Sequence, residues 1–351
     1  MKEKPACLVT TTVTDYRSEP FRMLAEAENL EVLAHDEGGQ AGAVRRIASG
    51  RYRAVVCGLG GRLALPGAYL AARRSGVPFV LWASLWEHPR TPVHALSWLP
   101  TRHLYRHADA VVTYGPHVSR YVEAVRGSRG RVFVAPQAVD GEHFGADVEP
   151  ADRGGASFVA LFVGRREREK GLDVLLEAWR EADLGPDARL WVAGEGGIAP
   201  SGPGVRALGQ VPRDRLPAVY AAADVLVLPS VRTATFREPW GLVCNEAMHQ
   251  GRPIIASDAV GAVAGGLVAD GTNGLVVPAG DPAPLAARLR ALAADPALRE
   301  RLGAAAKRDV QVYSYAAWVR GIRRALAAVG ASTDRHAPLP TSGDLPNATP
   351  S

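Results

Sequence analysis

Short apolar runs alternate with helical patterns along almost the whole chain, and this alternation limits the fold more than any other feature. An apolar run followed by a helical segment is typical of a parallel sheet covered by helices on both faces. We predict six strands in the first half of the chain and five in the second. In chain order they cover residues 6–12, 31–35, 54–57, 79–83, 110–113 and 132–135, then 158–163, 189–193, 224–228, 253–257 and 275–278.

The length of the chain, 351 residues, corresponds to two domains of ordinary size. The segment DVEPADRGGA at 147–156 has no apolar periodicity and contains proline and glycine, so we place the domain boundary there. We therefore predict an α/β fold with two tandem, doubly wound, Rossmann-like domains over 1–145 and 157–310, joined by a linker over 146–156.

The end of the chain divides into a helix and a tail. Ala- and Arg-rich sequence from about residue 295 predicts helix, and Trp318, Ile322 and Leu326 recur at helical spacing, which predicts an apolar stripe on a helix over 311–330. Residues 331–351 contain four prolines and almost no large apolar residue. Such a segment buries too little surface to offset its ordering entropy, so we predict a disordered tail.

Composition and charge exclude several classes of protein. The hydrophobic fraction of 47% and the charged fraction of 22% exclude disordered and fibrous chains. A net charge of +5 is too small and too evenly divided for a dedicated nucleic-acid binder. Residues 42–131 are different, because they hold 14 Lys/Arg and 3 Asp/Glu, a balance that suits an anionic partner or a membrane surface.

Within that basic region, Arg102, Arg106 and His107 lie beside several apolar residues and form a short amphipathic stretch. The stretch fits a peripheral contact with an anionic membrane. An ordinary solvated helix face is the alternative, and the sequence favours it.

Cysteine usage and the N-terminus indicate where the protein works. Cys7, Cys57 and Cys244 show no paired spacing, which excludes a zinc knuckle and a disulfide framework and suggests a reducing cytoplasm. The apolar run at 6–13 is too short for a signal peptide or a membrane span. We expect a cytoplasmic protein without a covalent anchor, with contact to the inner face of the membrane as the option raised by its basic region.

The most informative motif is EPWGLVCNE, which places two carboxylates, Glu238 and Glu246, on either side of a helix start. Pro239 favours extended geometry at the residue before it and suits the first turn of a helix. Backbone amides at such a start hold phosphate, whereas the carboxylates suit sugar and ribose hydroxyls. The amides concerned are those of Gly241, Leu242 and Val243. The alternative is a surface helix whose N-terminal Glu is stabilised by the helix dipole.

A second motif, FVGRREREKGLDVLLEAW, runs from a strand through Gly164 and Arg165 to Lys170 and then into a helix. Arg165 emerges at the carboxyl end of the strand, where doubly wound sheets bind ligands. Lys170 lies at a helix start, where a cation is opposed by the dipole and needs an anion or solvent. A plain solvated charge run is the alternative.

Together the two motifs resemble glycosyltransferase family 4, the retaining nucleotide-sugar transferases of GT-B fold. The resemblance covers residues 157–320 and includes further ordered blocks: WVAGEGG, LGQVPRDRLPAVYAAADVLVLPS, GRPIIASDAVG and DGTNGLVVP. It implies two Rossmann-like domains with an interdomain cleft. The N-terminal domain would bind the acceptor, the C-terminal domain would bind the donor, and the helix over 311–330 would cross back to the N-terminal domain.

The resemblance also implies residue roles. Arg165 and Lys170, in the loop that begins at Gly164, would hold the donor diphosphate, and Glu238 would hold the transferred sugar. Glu246 would bind the nucleotide ribose. The loop through Val211 would offer backbone contacts to the base. Family members retain anomeric configuration, by same-face attack with the leaving phosphate taking the acceptor proton.

The amino-terminal half resembles the family less closely. Arg17 would lie near the cleft. Where the family often carries a His after the fourth strand, this chain has Ser84, and His88 follows four residues later. We take His88 as a candidate for orienting the acceptor. A packed or exposed loop His is the alternative.

The sequence therefore predicts a retaining glycosyltransferase that moves a sugar from a nucleoside diphosphate to a glycan, lipid-linked or small-molecule acceptor. No Asp-x-Asp occurs in the chain, so we expect neither a metal nor a cofactor. The alternatives are a nucleotide-sugar epimerase or hydrolase of the same fold, and a catalytically silent sugar-nucleotide-binding protein. An epimerase needs no acceptor, and a silent protein is expected to have lost Glu238 or Lys170, both of which are present.

Overall fold

The computed structural model describes residues 4–89 and 91–333, apart from the side chains of residues 37, 38 and 93. The chain divides into two compact units. The first unit joins the chain up to Gln137 with the segment from Ser314 onwards, and the second runs from Ala138 to Tyr313. The first unit is therefore discontinuous in sequence.

The first unit contains a six-stranded, all-parallel sheet in the order β2-β1-β3-β4-β5-β6. Its strands are β1 Ala6–Thr10, β2 Leu30–Ala34, β3 Val55–Gly58, β4 Phe79–Ala83, β5 Ala110–Thr113 and β6 Val132–Val134. Its helices are α1 Asp15–Glu28, α2 His35–Gly38, α3 Gln40–Ala48, α4 Ala64–Arg74, α5 Pro92–His107, α6 Pro116–Arg126 and, late in the chain, α14 Tyr315–Ala328.

The second unit also contains a six-stranded parallel sheet, in the order β12-β11-β10-β7-β8-β9. Its strands are β7 Phe158–Val163, β8 Ala188–Ala193, β9 Val205–Gly209, β10 Val225–Leu228, β11 Ile254–Ser257 and β12 Gly274–Val277. Its helices are α7 Gly141–Gly145, α8 Leu172–Ala182, α9 Leu216–Ala222, α10 Leu242–His249, α11 Gly261–Ala264, α12 Pro282–Ala294 and α13 Pro296–Asp309. Short 3-10 turns occupy Arg168–Lys170, Arg213–Arg215 and Val310–Val312.

Strand order defines where each sheet can bind a ligand. In the second unit the chain moves outwards from β7 through β8 to β9, then returns to β10 on the other side of β7. In the first unit the corresponding reversal lies between β1 and β3. Ligands of doubly wound sheets bind beyond the carboxyl ends of the strands at such a reversal. The loops after β7 and β10 are therefore the first place to look in the second unit.

Apolar side chains cover both faces of each sheet. In the first unit α14 packs against α1, β5 and β6, and its Trp318 is 1% exposed within a cluster that includes Phe21 and Trp82. Gly321 allows this approach, because a Cβ there would lie 2.3 Å from the carbonyl oxygen of Val134. Among the described residues, no helix is both long and apolar enough to span a bilayer.

Two predicted boundaries are wrong. The first unit ends at Gln137 rather than residue 145, and residues 146–156 lie in the second unit rather than between the two. That segment is held in place because the amide of Ala151 donates to Ala218 O at 2.9 Å and Arg153 pairs with Asp224 at 2.5 Å.

Three elements differ from the sequence prediction. The helical region from residue 295 is interrupted, and α14 begins at Tyr315 because Ser314 caps it by accepting from the amide of Ala317. Strand β9 is an addition, an edge strand whose residues are half-buried or exposed. The predicted disordered tail is wrong for residues 331–333, since Ala331 is 5% and Thr333 3% exposed; residues 334–351 lie outside the described part of the chain.

Candidate functional site

The loops after β7 and β10 contact each other at the point where strand order reverses in the second sheet. The amide of Val231 donates to Glu169 O at 3.0 Å. Gly171 has φ +70°, and a Cβ there would lie 2.0 Å from the carbonyl oxygen of Pro229. Only glycine fits this crossing, so the KG step of the second motif is explained by backbone geometry.

The turn after β8 packs against the loop after β7 through backbone contacts. The amide of Gly164 donates to Ala193 O at 3.0 Å. A Cβ on Gly194 would lie 2.0 Å from Gly164 O, and one on Gly196 would lie 2.7 Å from the amide nitrogen of Arg166. Gly194 and Gly196 of WVAGEGG therefore let two backbones meet, and they fix the loop that carries Arg165.

Lys170 and Glu238 form a close ion pair at this crossing. Lys170 Nζ lies 2.5 Å from Glu238 Oε2, and the two side chains are 17% and 8% exposed. Ser230, two residues after β10, donates its hydroxyl to the same carboxylate oxygen at 3.2 Å. The ring of Phe236 lies 5.3 Å from Nζ. The structure thus brings together two residues that are 68 positions apart in the chain.

The backbone of Glu238 is held by the segment that follows β11. It forms a parallel bridge with Val260, and its carbonyl oxygen accepts from the amide of Gly261 at 3.0 Å. A Cβ on Gly261 would lie 2.0 Å from Pro239 O, so this contact also requires glycine. The carboxylate consequently sits on a rigid segment at the carboxyl edge of the sheet.

Arg165 differs from Lys170 in exposure. Its side chain is 67% exposed and its guanidinium approaches Glu169 at 3.5 Å, a weak surface pair. The residue follows β7 closely, as the sequence predicts. It is therefore the more accessible of the two cations near the reversal point.

Helix α10 begins three residues later than the predicted start at Pro239. Gly241 precedes its first turn with φ +97°, where a Cβ would lie 2.6 Å from Leu228 Cδ2. Leu242 and Val243 are its first two residues and are half-buried. The amides of a first helical turn have no partner within the helix, so they are available to an anion.

Glu246 lies farther along α10, next to a buried tyrosine. Tyr220 donates its hydroxyl to Glu246 Oε2 at 2.6 Å. Burial raises the pKa of Glu246 to about 6, while the Tyr220 hydrogen bond and the charge of Arg213 act to lower it. Burial and the neighbouring carboxylate also raise the pKa of Tyr220 well above its ordinary value. Tyr220 therefore stays protonated and orients the Glu246 carboxylate.

The segment after β9 reaches the same edge of the sheet. The amide of Gly194 donates to Gly209 O at 2.7 Å, which joins the ends of β8 and β9. Val211 follows two residues later and is half-buried. The next turn carries Arg213, whose charge acts on Glu246. Val211 thus precedes a turn that is electrostatically coupled to that carboxylate.

The site combines groups of complementary chemistry. Two cations, one half-buried and one exposed, and the amides at the start of α10 are suited to phosphate oxygens. The two glutamates are suited to hydroxyl groups. No group of three or more His, Cys, Asp or Glu side chains in the part of the chain that the structure describes could hold a metal ion. The roles of the individual residues stay predictions.

His88 lies in the first unit, before α5. Its Nε2 lies 2.8 Å from the carbonyl oxygen of His94, to which it can only donate, and its ring centroid lies 4.7 Å from that of Trp98. These contacts fit the packed-loop alternative, and they leave Nδ1 as the nitrogen with a lone pair. The proposed acceptor role of His88 stays a prediction.

Three residues of the site are not singled out by the sequence analysis: Ser230, Tyr220 and Phe236. Ser230 and Tyr220 lie in one of the blocks that carry the resemblance. A usable signal for Ser230 is its position two residues after an apolar strand. That signal becomes specific only when strand order shows β10 beside β7.

A family model described as "Glycosyl transferases group 1" matches residues 144–309. Curated relatives include two proteins named D-inositol 3-phosphate glycosyltransferase. The one from Nocardiopsis dassonvillei is 34% identical over 229 residues, which cover 58% of this chain and 52% of the relative. The one from Streptomyces avermitilis is 32% identical over 292 residues, covering 70% and 59%. The chain thus spans only about half the length of the curated relatives it matches.

Solved structures are similar over nearly the whole chain. Anabaena HepE in complex with UDP has a TM-score of 0.72 and 18% identity, covering 92% of this chain and all of that one. Sucrose-phosphate synthase from Thermosynechococcus elongatus has a TM-score of 0.72 and 19% identity, covering 94% and 100%. At this identity the similarity establishes the fold and says nothing of the substrate.

Proposed function

We propose that the protein transfers a glycosyl group from a nucleoside diphosphate sugar to an acceptor, since residues 144–309 match the family model of the group 1 glycosyl transferases and the chain has the GT-B fold. The observation that carries the proposal is the Lys170–Glu238 pair at the reversal point of the second sheet. A cation and a carboxylate held together there can bind the two halves of a sugar phosphate.

Glycosyl transfer from a nucleoside diphosphate sugar requires positive charge near the departing diphosphate. When the bond between the anomeric carbon and the diphosphate breaks, the diphosphate carries away the electron pair. Lys170, Arg165 and the amides of Leu242 and Val243 would stabilise that charge. Glu238 would then hold hydroxyls of the transferred sugar, and Glu246 would bind the ribose.

Retention of configuration is part of the proposal. The acceptor hydroxyl would attack the face from which the diphosphate leaves, and its proton would pass to a departing phosphate oxygen. No carboxylate needs to act as a nucleophile in this scheme. The two glutamates would therefore not be the facing acid and nucleophile of a glycosidase.

Metal independence is also proposed, because Lys170 and Arg165 can take the place of a divalent ion at the diphosphate. Activity should persist in excess chelator. Abolition by chelator with recovery on adding manganese or magnesium would overturn this part of the proposal and leave glycosyl transfer itself intact.

The direct test offers the purified protein a panel of nucleotide sugars, with glycan, lipid-linked and small-molecule acceptors. The relatives named above make an inositol phosphate a rational member of the acceptor panel. We expect nucleoside diphosphate release coupled to transfer, with the anomeric configuration of the product retained. Epimerised donor, free sugar with every acceptor, or binding without turnover would each reject the proposed activity.

A further inference from the structure

The two helices α4 and α5 present large apolar side chains to solvent on the first unit. Leu96 and Leu99 on α5 are 83% and 71% exposed, and Leu63 and Leu70 at α4 are 65% and 55% exposed. Of the exposed large apolar residues among those the structure describes, these four are the most exposed, and all lie in the first unit. Single exposed leucines are ordinary on protein surfaces, but four on two neighbouring helices need an explanation.

The two helices contact each other through their side chains. Tyr69 Oη on α4 lies 3.3 Å from His103 Nε2 on α5, and the two rings meet edge to face. The inner faces of both helices are buried, with Ala68 on α4 and Tyr105 on α5 in the core. Leu70 on α4 lies seven residues after Leu63, the N-cap residue of that helix, and Leu96 and Leu99 on α5 are three residues apart, so each pair lies on one side of its helix. The leucines therefore form an outward apolar surface, which we call the leucine face.

The charge around the leucine face is positive. Residues 60–108 contain six arginines and one glutamate, a difference of +5. Arg62, Arg73 and Arg74 are exposed at the two ends of α4, and Arg106 is exposed near the end of α5. Arg73 is partly neutralised by Asp109, which lies 3.1 Å away. The remaining arginines flank the apolar side chains with positive charge.

We propose that the leucine face docks on an anionic lipid bilayer. Exposed leucines at helix surfaces can enter the boundary between headgroups and acyl chains, and flanking arginines can contact anionic headgroups. Charge complementarity favours this occupant over a second copy of the chain, because two such faces would bring like charges together. Docking would hold the first unit at the surface where lipid-linked molecules reside.

The test measures sedimentation of the full chain with vesicles. One set contains phosphatidylcholine alone, and the other contains equimolar phosphatidylcholine and phosphatidylglycerol. We expect binding to the anionic vesicles that weakens as salt is added, and little binding to the neutral ones. The double variant Leu96→Ser/Leu99→Ser should lower the partition coefficient by about tenfold or more. Arg62→Ser/Arg74→Ser should lower it by about fivefold per arginine.

Matched controls lie elsewhere on the surface. Arg180→Ser/Arg301→Ser removes the same charge from the second unit, and Val13→Ser removes an exposed apolar residue that lies on neither α4 nor α5. Circular dichroism melting checks that each variant is folded. Equal binding to both vesicle types, or leucine and arginine variants that bind like the controls, would overturn the proposal. So would a dimer in sedimentation velocity that the leucine variant abolishes, since the face would then join two copies. None of these measurements depends on glycosyl transfer.

Discussion

The two units are built alike but use their buried charges differently. Each has a six-stranded parallel sheet covered by helices. In the second unit the ion pair between half-buried Lys170 and buried Glu238 lies where strand order reverses, beside an exposed arginine. In the first unit, the buried charges of Arg17 and Glu28 are surrounded by groups that fix helices to the sheet.

Arg17 shows the contrast most clearly. It is 7% exposed, its Nη2 donates to Gln137 Oε1, and its guanidinium carbon lies 4.7 Å from the ring centroid of Trp82. Glu28 is fully buried and accepts from Arg323 at 2.7 Å, from Arg53 at 3.2 Å and from the amide of Thr333 at 3.0 Å. We infer that Arg17 and Glu28, which are enclosed by rings or by several donors, stabilise the fold. The Lys170–Glu238 pair lies at the edge of a sheet, where either residue can exchange its partner for a ligand.

The largest effect should come from breaking the second unit's pair. Lys170→Ala removes a charge-assisted contact to the departing diphosphate, so we expect kcat/KM to fall by about 10²- to 10³-fold. Nucleoside diphosphate release measures this. Arg168→Ala, an exposed arginine in the same 3-10 turn, is the control and should be nearly silent. Normal turnover in Lys170→Ala would remove the phosphate role from this lysine.

For Glu28, the buried carboxylate of the first unit, we expect a loss of stability and no change in nucleotide binding. Glu28→Gln leaves Arg53 and Arg323 without their shared anion, and we expect the free energy of unfolding to fall by about 3 kcal/mol. Denaturant unfolding followed by hydrogen exchange in the first unit measures the loss. Nucleotide binding by the second unit should not change. The control, Glu26→Gln, breaks only an exposed pair with Arg22 and should leave stability nearly unaltered.

Alanine substitutions at two glycines of the second unit distinguish the cost of backbone strain from the cost of a steric clash. Gly171 and Gly185 both have positive φ, but only at Gly171 would an added Cβ meet a neighbour within 4 Å, the carbonyl of Pro229. Gly185→Ala should cost about 1 kcal/mol from strain alone. Gly171→Ala should cost more and should also lower turnover, because the loop carrying Lys170 must shift. Equal thermal melting and equal activity in both variants would contradict the crossing described above.

The smallest expected effect is a pH dependence at Glu246. Its pKa is raised to about 6, so the carboxylate that would bind ribose is present above that pH and is lost as pH falls through it. Because the pKa is raised on folding, this residue stabilises the fold most at low pH, and that contribution disappears as pH rises toward 6. Calorimetry should show nucleoside diphosphate affinity falling by about three- to fourfold from pH 7.5 to 5.5, because the ionised fraction of Glu246 falls by that factor.

Glu246→Gln supplies the baseline for that titration, because the phosphates of the ligand titrate in the same range. The variant should bind more weakly at pH 7.5 and show a shallower pH dependence. Tyr220→Phe removes the hydrogen bond that lowers the pKa of Glu246, so the midpoint should move to higher pH. Parallel curves for wild type and Glu246→Gln would show that this carboxylate does not contact the ligand.

The sequence predicts those elements best whose bounds are set by residues close together in the chain. Strand β7 has the predicted bounds, because its apolar run is followed directly by Gly164. The resemblance to a GT-B glycosyltransferase is confirmed. Strand β9 escapes sequence prediction because an edge strand that contains the exposed Arg206 has no apolar alternation.

The remaining features depend on contacts that are distant in sequence. The local rule for proline starts α10 at Pro239, but Gly241 precedes the helix with φ +97°, which favours glycine, and it packs against Leu228 from another element. The pairing of Lys170 with Glu238 depends on β7 lying beside β10, which periodicity does not reveal. The enclosure of Arg17 depends on Trp82 and Trp318, which are far apart in the chain.

The return of the chain to the first unit has a consequence for its synthesis. The 176 residues from Ala138 to Tyr313 must all be translated before α14 exists. At about 5–20 residues per second, this takes roughly 9–35 s. During that interval the nascent first unit exposes the apolar surface that Trp318 and Ile322 later cover. The second unit can complete its fold on the ribosome. The apolar surface of the first unit is covered only when α14 has been released.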